Sequence, residues 1–271
     1  SMNKVLIIGC GHMGSALLRE WSKKKNFKFT VIDPISYNSL SRKIKNKNVK
    51  FFSSITKIED TSIFDIIVLA VTPQLVSKVL KPYKLLKFKK SSVVISIIAG
   101  KKIVYIKKLL PNIRQVVRVM PNMPAMIGEG VSCIVSNRVL SKNNKKKVSE
   151  LFSSVGIVIW LNNEKQINVA TAISGSGPGY VFYLLDAMEK GANKLGLNNN
   201  INKKIIYQTF IGSLKLMNNT NKEPIELANQ IAIKGGTTEA GIKVMQENKI
   251  HKIFSNIILA AYKKANLLGN K

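Results

Sequence analysis

The stretch KVLIIGCGHMG, residues 4–14, decides the fold. KVLII is a short apolar run of strand type, and Leu17, Leu18 and Trp21 beyond the glycines fall at helical spacing. A Gly-x-Gly-x-x-Gly turn between a strand and a helix gives each glycine a task. Gly9 permits the tight turn, Gly11 lets a pyrophosphate approach the backbone, and Gly14 lets the helix pack closely on the strand. The helix N-terminus then presents unpaired N–H groups and the positive end of its dipole to the phosphates. His12 and Met13 belong to the same loop, where His12 faces solvent or the phosphate edge. A glycine-rich turn without a ligand is the plain alternative, and the strand-turn-helix context argues against it.

Outward from this loop, residues 29–32, 49–52, 66–71, 93–97 and 116–119 read as further strands, several of them apolar throughout. Such runs are buried on both faces, and their alternation with helical patterns predicts a parallel sheet covered by helices. The expected architecture is α/β: an N-terminal Rossmann domain over residues 1–162, doubly wound and mostly parallel, with an all-α domain over residues 163–271. Residues 131–135 and 157–160 add a hairpin-like extension around a helix at residues 145–154. Asp33 closes the second strand, where an acidic side chain accepts ribose hydroxyls and favours NADH. Ser36, Ser39, Ser41, Arg42 and Lys43 follow it and suit the extra phosphate of NADPH, so NADPH or NADH stays open. Ala70, Val71, Thr72 and Pro73 end a later strand, where ligands sit in such sheets. Thr72 and Pro73 equally fit a helix N-cap and first residue.

After Asn162 helical periodicity takes over. Pro178 suits a helix start, and Val181, Leu184, Leu185, Met188, Ala192 and Leu195 keep helical spacing until Gly196. Further helices are expected at residues 202–217, 223–233, 237–247 and 249–268. Their apolar faces are broad for a domain of this size, which points to packing against a second subunit.

Within this half, IAIKGGTTEAG at residues 231–241 places two glycines and two threonines at a helix start. Such a corner offers unpaired N–H groups and two hydroxyls to a small carboxylate. A threonine before a helix is also ordinary capping.

The chain carries 43 Lys+Arg against 14 Asp+Glu, a net charge of +29. The lysines are scattered in short clusters among Asn and Ile without interleaved aromatics, so they read as solvated surface; no nucleic acid is expected as a partner. No apolar run approaches the roughly 18 residues of a membrane span. A cytoplasmic protein with no membrane partner is the expectation. Cys10 and Cys133 lack metal-ligand spacing and read as free structural thiols of a reducing compartment.

The assembled motifs resemble pyrroline-5-carboxylate reductases. The resemblance rests on residues 9–14, AVTPQ at residues 70–74, VVISIIAG at 93–100, RVMPNMPAMIGEG at 118–130, SGSGPGYVFYLLDAMEKGANKLGL at 174–197 and KGGTTEAGIKVM at 234–245. It implies hydride transfer from NAD(P)H to the imine carbon of 1-pyrroline-5-carboxylate, giving L-proline in the last step of proline biosynthesis. It also implies a homodimer or a larger ring of dimers, with the active site between the nucleotide domain of one subunit and helices of its partner. By resemblance Thr238 is the catalytic residue, hydrogen-bonding the ring nitrogen, while N–H groups at Gly235, Gly236 and Thr237 hold the carboxylate. Met120, Asn122 and Pro124 border the nicotinamide; Ser176, Gly177 and Pro178 shape the opposite wall. The scarcity of histidine fits, since only His12 and His251 occur and an imine can carry its own proton.

The chain departs from the family pattern in three places. Thr72 stands where the family usually has Lys, Ile233-Lys234 where it has Ser-Pro, and Met123 where it has Thr. Losing the serine hydroxyl removes a carboxylate donor, and Lys234 is the candidate for a compensating positive charge. The rival readings are a β-hydroxyacid dehydrogenase-like enzyme, for which Lys190 and Lys194 are the available lysines, and a non-catalytic nucleotide-sensing or nucleic-acid-binding paralogue.

Overall fold

The computed structural model describes residues 1–271. The chain forms two compact units, one of Ser1–Ser176 with Ala261–Lys271 and one of Gly177–Ala260.

The first unit is built on β1 (Asn3–Ile8), α1 (His12–Trp21), β2 (Phe27–Ile32), α2 (Tyr37–Lys43), β3 (Val49–Phe52), β4 (Ile66–Leu69), α3 (Val76–Leu80), β5 (Val93–Ser96), α4 (Ile103–Leu109), β6 (Gln115–Met120), β7 (Gly130–Ser136), α5 (Lys142–Ser153), β8 (Gly156–Trp160) and α6 (Gln166–Ala170). Its single sheet has the order β3-β2-β1-β4-β5-β6-β7-β8. The first six strands are parallel, in the doubly wound order whose reversal point lies between β1 and β4.

The apolar runs explain this placement, since β4 (IIVL) and β5 (VVIS) are buried at every position between two covering layers. Alternation sends Val5 and Ile7 to one layer with Trp21, Phe29 and Phe152, and Leu6 and Ile8 to the other with Leu80, Tyr83 and Ile106. Trp21 stacks on Phe29 and meets Phe152 edge-on, with centroids 6.1 and 5.4 Å away, and its indole N–H donates to Leu151 O at 2.9 Å. These contacts fix α1, and with it the glycine loop, against the sheet.

The expected hairpin of residues 131–135 and 157–160 is not formed. β7 runs antiparallel to β6, but β8 lies parallel to β7 with Val131 opposite Ile157. Parallel neighbours need a crossover rather than a tight turn, and α5 supplies it. Gly156 opens β8 with φ +145°, so close to β7 that a Cβ there would run into the carbonyl of Gly130.

The second unit comprises α7 (Gly177–Asn193), α8 (Asn199–Asn218), α9 (Pro224–Ile231), α10 (Thr237–Glu247) and the first half of α11 (Ile250–Gly269). α8 starts three residues earlier than its periodicity suggests because Asn198 caps it, accepting from Asn200 N. α9 opens with Pro224 and a Glu223/Glu226 capping box. No residue of α7, α9 or α10 is buried within the chain, and Tyr183, Leu214 and Ile233 stand 79%, 63% and 71% exposed. Apolar surface on this scale marks an interaction face.

The last turns of α11 belong to the first unit: Ala265 is buried and Asn168 Nδ2 donates to Asn266 Oδ1 at 2.7 Å. No helix is long and apolar enough to cross a membrane.

Candidate active site

The nucleotide loop lies where β1 and β4 end side by side. Gly9 has φ +77°, and a Cβ there would come within 2.6 Å of Val71 Cγ1 and 3.1 Å of Ala70 O. A Cβ on Gly14 would lie 3.0 Å from that of Ala70. Ala70 and Val71 therefore form the floor against which the glycine turn closes. Gly11 caps α1 without a side-chain hydrogen bond, and the N–H groups of Gly11, His12, Met13 and Gly14 find no acceptor in the chain. Unpaired donors at the N-terminus of a ten-residue helix fit a pyrophosphate. His12 is exposed and Met13 half-buried.

Asp33 sits beside this loop, 9% exposed. Its Oδ2 accepts from Cys10 N at 2.9 Å, and its Oδ1 accepts from Ile35 N at 3.0 Å and Ser36 N at 2.8 Å. Three of the roughly four acceptor positions of a carboxylate are thus taken by backbone. One is left for a ribose hydroxyl. Burial, with the Asp33 charge second, pushes the Cys10 thiol up to about 12, so it stays protonated. Thr72 and Pro73 lie in a turn ahead of α3, which starts only at Val76, so neither caps that helix nor begins it. Thr72 is exposed and Pro73 half-buried.

Met120 ends β6, and Asn122 and Pro124 follow it into a short 3₁₀ turn. Asn122 is 9% exposed; its Oδ1 accepts from Val131 N at 2.9 Å and its Nδ2 donates to Ser174 O at 3.1 Å. A Cβ on Gly175 would come 3.3 Å from Met120 Sδ. The structure thereby joins RVMPN to the start of SGSGPG. Ser176 and Gly177, the next residues of that motif, are half-buried.

The second unit carries the Gly-Gly-Thr-Thr corner between α9 and α10. Gly235 has φ +78°, which favours glycine, and a Cβ on Gly236 would approach Ile233 O at 3.0 Å. Two of the three N–H groups expected to hold a carboxylate are engaged: Gly236 N donates to Ile233 O at 2.9 Å and Gly235 N to Glu239 Oε1 at 3.1 Å. The N–H groups of Thr237, Thr238 and Glu239 open α10 without a partner, and neither threonine hydroxyl has one. Lys234 is exposed and forms no ion pair with a carboxylate of the chain.

Residues 164–268 match the family model described as pyrroline-5-carboxylate reductase dimerisation, and residues 4–100 match the NADP oxidoreductase, coenzyme F420-dependent model. A pyrroline-5-carboxylate reductase of Pseudomonas aeruginosa is 35% identical over 207 residues, 76% of each chain. The chain belongs to the pyrroline-5-carboxylate reductase family. The corresponding protein of Synechocystis is 30% identical over 98% of both chains. Among solved structures, the Plasmodium falciparum pyrroline carboxylate reductase with NADP bound shares 30% identity and a TM-score of 0.84, covering 99% of this chain and all of that one. The Coxiella burnetii reductase reaches a TM-score of 0.87 at 26% identity, covering 99% of each.

Membership makes the chain an oxidoreductase with a Rossmann-type nucleotide unit and a dimerisation region. Sequence reasoning missed three residues of this reductase. Glu164 Oε1 accepts from Arg118 Nη1 at 2.8 Å and from Ile103 N at 2.7 Å, tying β6 to the N-terminus of α4 where the matched dimerisation region begins. Arg118 opens the RVMPNMPAMIGEG motif, yet only its 6% exposure marks it as buried and paired. Ser174 likewise opens the SGSGPGY motif, and its carbonyl, which accepts from Asn122 Nδ2, carries no signal in sequence.

Proposed function

We propose that this chain reduces 1-pyrroline-5-carboxylate to L-proline with NADPH or NADH. The observation that carries this reading is the match to pyrroline-5-carboxylate reductases across both compact units, 98% of the chain in the Synechocystis relative. When bound, the reduced nicotinamide supplies the hydride.

The chain's own residues bind and orient. Gly9, Gly11 and Gly14 keep the loop free of side chains, and the N–H groups from Gly11 to Gly14 hold the pyrophosphate, with His12 and Met13 at its edge. Asp33 offers its remaining acceptor position to the ribose, and Ala70, Val71, Thr72 and Pro73 line the floor. Met120 and Pro124 border the nicotinamide, while Asn122, buried between them in sequence, has its carboxamide taken up by Val131 N and Ser174 O. In the second unit, the first-turn N–H groups of α10 at Thr237 and Thr238 receive the substrate carboxylate, with Gly235 and Gly236 shaping the corner and Lys234 adding charge. The Thr238 hydroxyl bonds the ring nitrogen, and Ser176 and Gly177 are further substrate-binding residues. No histidine is needed, since the protonated imine is already electrophilic and positioning supplies the rest.

The broad apolar faces of α7 and α9 support a homodimer or a ring of dimers. The buried free thiols of Cys10 and Cys133 support a reducing, cytoplasmic setting, and the scattered lysines support a protein without a nucleic-acid partner. The test is direct: purified protein oxidises NAD(P)H with pyrroline-5-carboxylate and is inert with β-keto acids. The reverse result establishes a β-hydroxyacid dehydrogenase instead, and salt-sensitive DNA binding tighter than cofactor binding establishes the non-catalytic reading.

A further inference from the structure

Arg118, Met120 and Asn122 alternate along extended backbone at the end of β6 and so share one face of the sheet. All three meet a single covering segment, residues 164–175: Arg118 at Glu164, Met120 at Gly175 and Asn122 at Ser174 O. That segment is irregular in one place, where Thr171–Gly175 winds as a π-helix and Ser176 N reaches back to Thr171 O at 2.8 Å. Such turns cluster at functional sites and need a local cause.

Pro178 follows this turn and removes one of its regular donors. In a regular α-helix the N–H of residue 178 would bond Ser174 O, but proline has no N–H and its ring crowds that carbonyl. A shielded carbonyl without a donor is costly. Asn122 Nδ2 supplies the donor, 3.1 Å away and 52 residues distant in sequence. The PNMP and SGSGPG motifs are therefore chemically complementary: one lacks an N–H that the other provides. On its far side Asn122 also holds Val131 N, so one buried carboxamide bridges β7 and the π turn.

We infer that Asn122 is a positioning residue and not a nucleotide ligand: its carboxamide locks the turn that opens SGSGPGY to the end of β6, replacing the hydrogen bond that Pro178 cannot make. The inference rests on the reading of Met120 and SGSGPG as walls of the reductase site. Asn122→Ala removes both bonds; Asn122→Asp keeps an acceptor for Val131 N and loses the donor to Ser174 O, which covers the case in which the alanine variant does not fold. Pro178→Ala returns an N–H to the helix.

The test is a double-mutant cycle on the intact oligomer, reading kcat and KM for pyrroline-5-carboxylate, the NADPH Kd from its fluorescence, and the unfolding midpoint. Either Asn122 variant is expected to lower kcat/KM about tenfold or more, with NADPH Kd changed by less than about twofold. Combined with Pro178→Ala, the loss is expected to be about fivefold smaller than the product of the single losses. A Kd weakened in step with kcat/KM would make Asn122 a nucleotide ligand and overturn the inference, as would multiplicative losses. If the wild type fails to reduce pyrroline-5-carboxylate, the functional reading falls, and the same cycle in unfolding midpoints still decides the clamp.

Discussion

Glu239 Oε1 accepts the N–H of Gly235 at 3.1 Å, so a carboxylate of the chain itself occupies the corner proposed to receive the carboxylate of the substrate. A second negative charge there is repelled. Replacing Glu239 by Gln keeps an oxygen for Gly235 N and removes the charge, so KM for pyrroline-5-carboxylate should fall by about threefold. An unchanged or higher KM in steady-state assays would show that Glu239 only shapes the turn.

Lys234, exposed and without an acidic partner, acts in the opposite sense if it guides the substrate. Lys234→Ala should raise the same KM by about threefold at low salt, with the difference shrinking as ionic strength rises. Equal KM values for the variant and the parent chain would leave Lys234 as a solvated side chain.

Asp33 is bound to three backbone N–H groups beside the glycine loop. Truncation to Ala strands them, which should cost about 2 kcal/mol or more in urea unfolding and raise KM for NADH and NADPH together. A variant of normal stability that loses only NADH would instead make Asp33 a dedicated ribose ligand.

The alkaline limb of stability should trace to Cys10. Its thiol is raised from 9.0 to about 12 in the folded protein, chiefly by burial, so the folded state holds its proton more tightly than the unfolded chain. That contribution is fully present below pH 9 and is lost as pH climbs towards 12. Burial likewise raises Tyr83. The acid limb runs the other way at Asp65: partial burial pushes its carboxyl up, but bonds from Lys4 N and Lys89 outweigh this and hold it below 3.8, so its contribution fades as pH falls past that value. Melting curves of Cys10→Ala against pH check the first claim; an alkaline limb identical to the parent would refute it.

Gly156→Ala should be among the most damaging single-methyl substitutions in the chain. The added Cβ meets the Gly130 carbonyl head-on at φ +145°, so β7 and β8 must part locally. Strain and lost pairing together predict about 3 kcal/mol or more, measured as a lowered unfolding midpoint; a variant within experimental error of the parent would contradict the geometry.

What could be read from sequence was what depends on neighbours along the chain. Gly9, Gly14 and Gly235 announce themselves because a tight turn or close approach excludes a side chain locally, and the apolar runs of β4 and β5 state their burial without help. The direction of β8 was misread because two strand-like runs around a helix serve a hairpin extension or a crossover equally well until pairing is known. The engaged N–H groups of Gly235 and Gly236 escaped notice because capping and ligand binding use the same donors. Glu164 and Arg118 are 46 residues apart, and neither residue's surroundings in sequence name the other.

The return of α11 to the first unit has a practical side. Leu268 O lies 3.0 Å from where a Cβ on Gly100 would be, and Lys102 Nζ meets Asn270 Oδ1 at 3.3 Å. In sequence the helical unit is thus an insertion within the nucleotide unit, joined to it by the chain at both ends. A protease nick between α8 and α9 would leave two fragments, each still carrying a piece of the same Rossmann unit, and a tag fused after Lys271 would report on that unit and not on the helices before it.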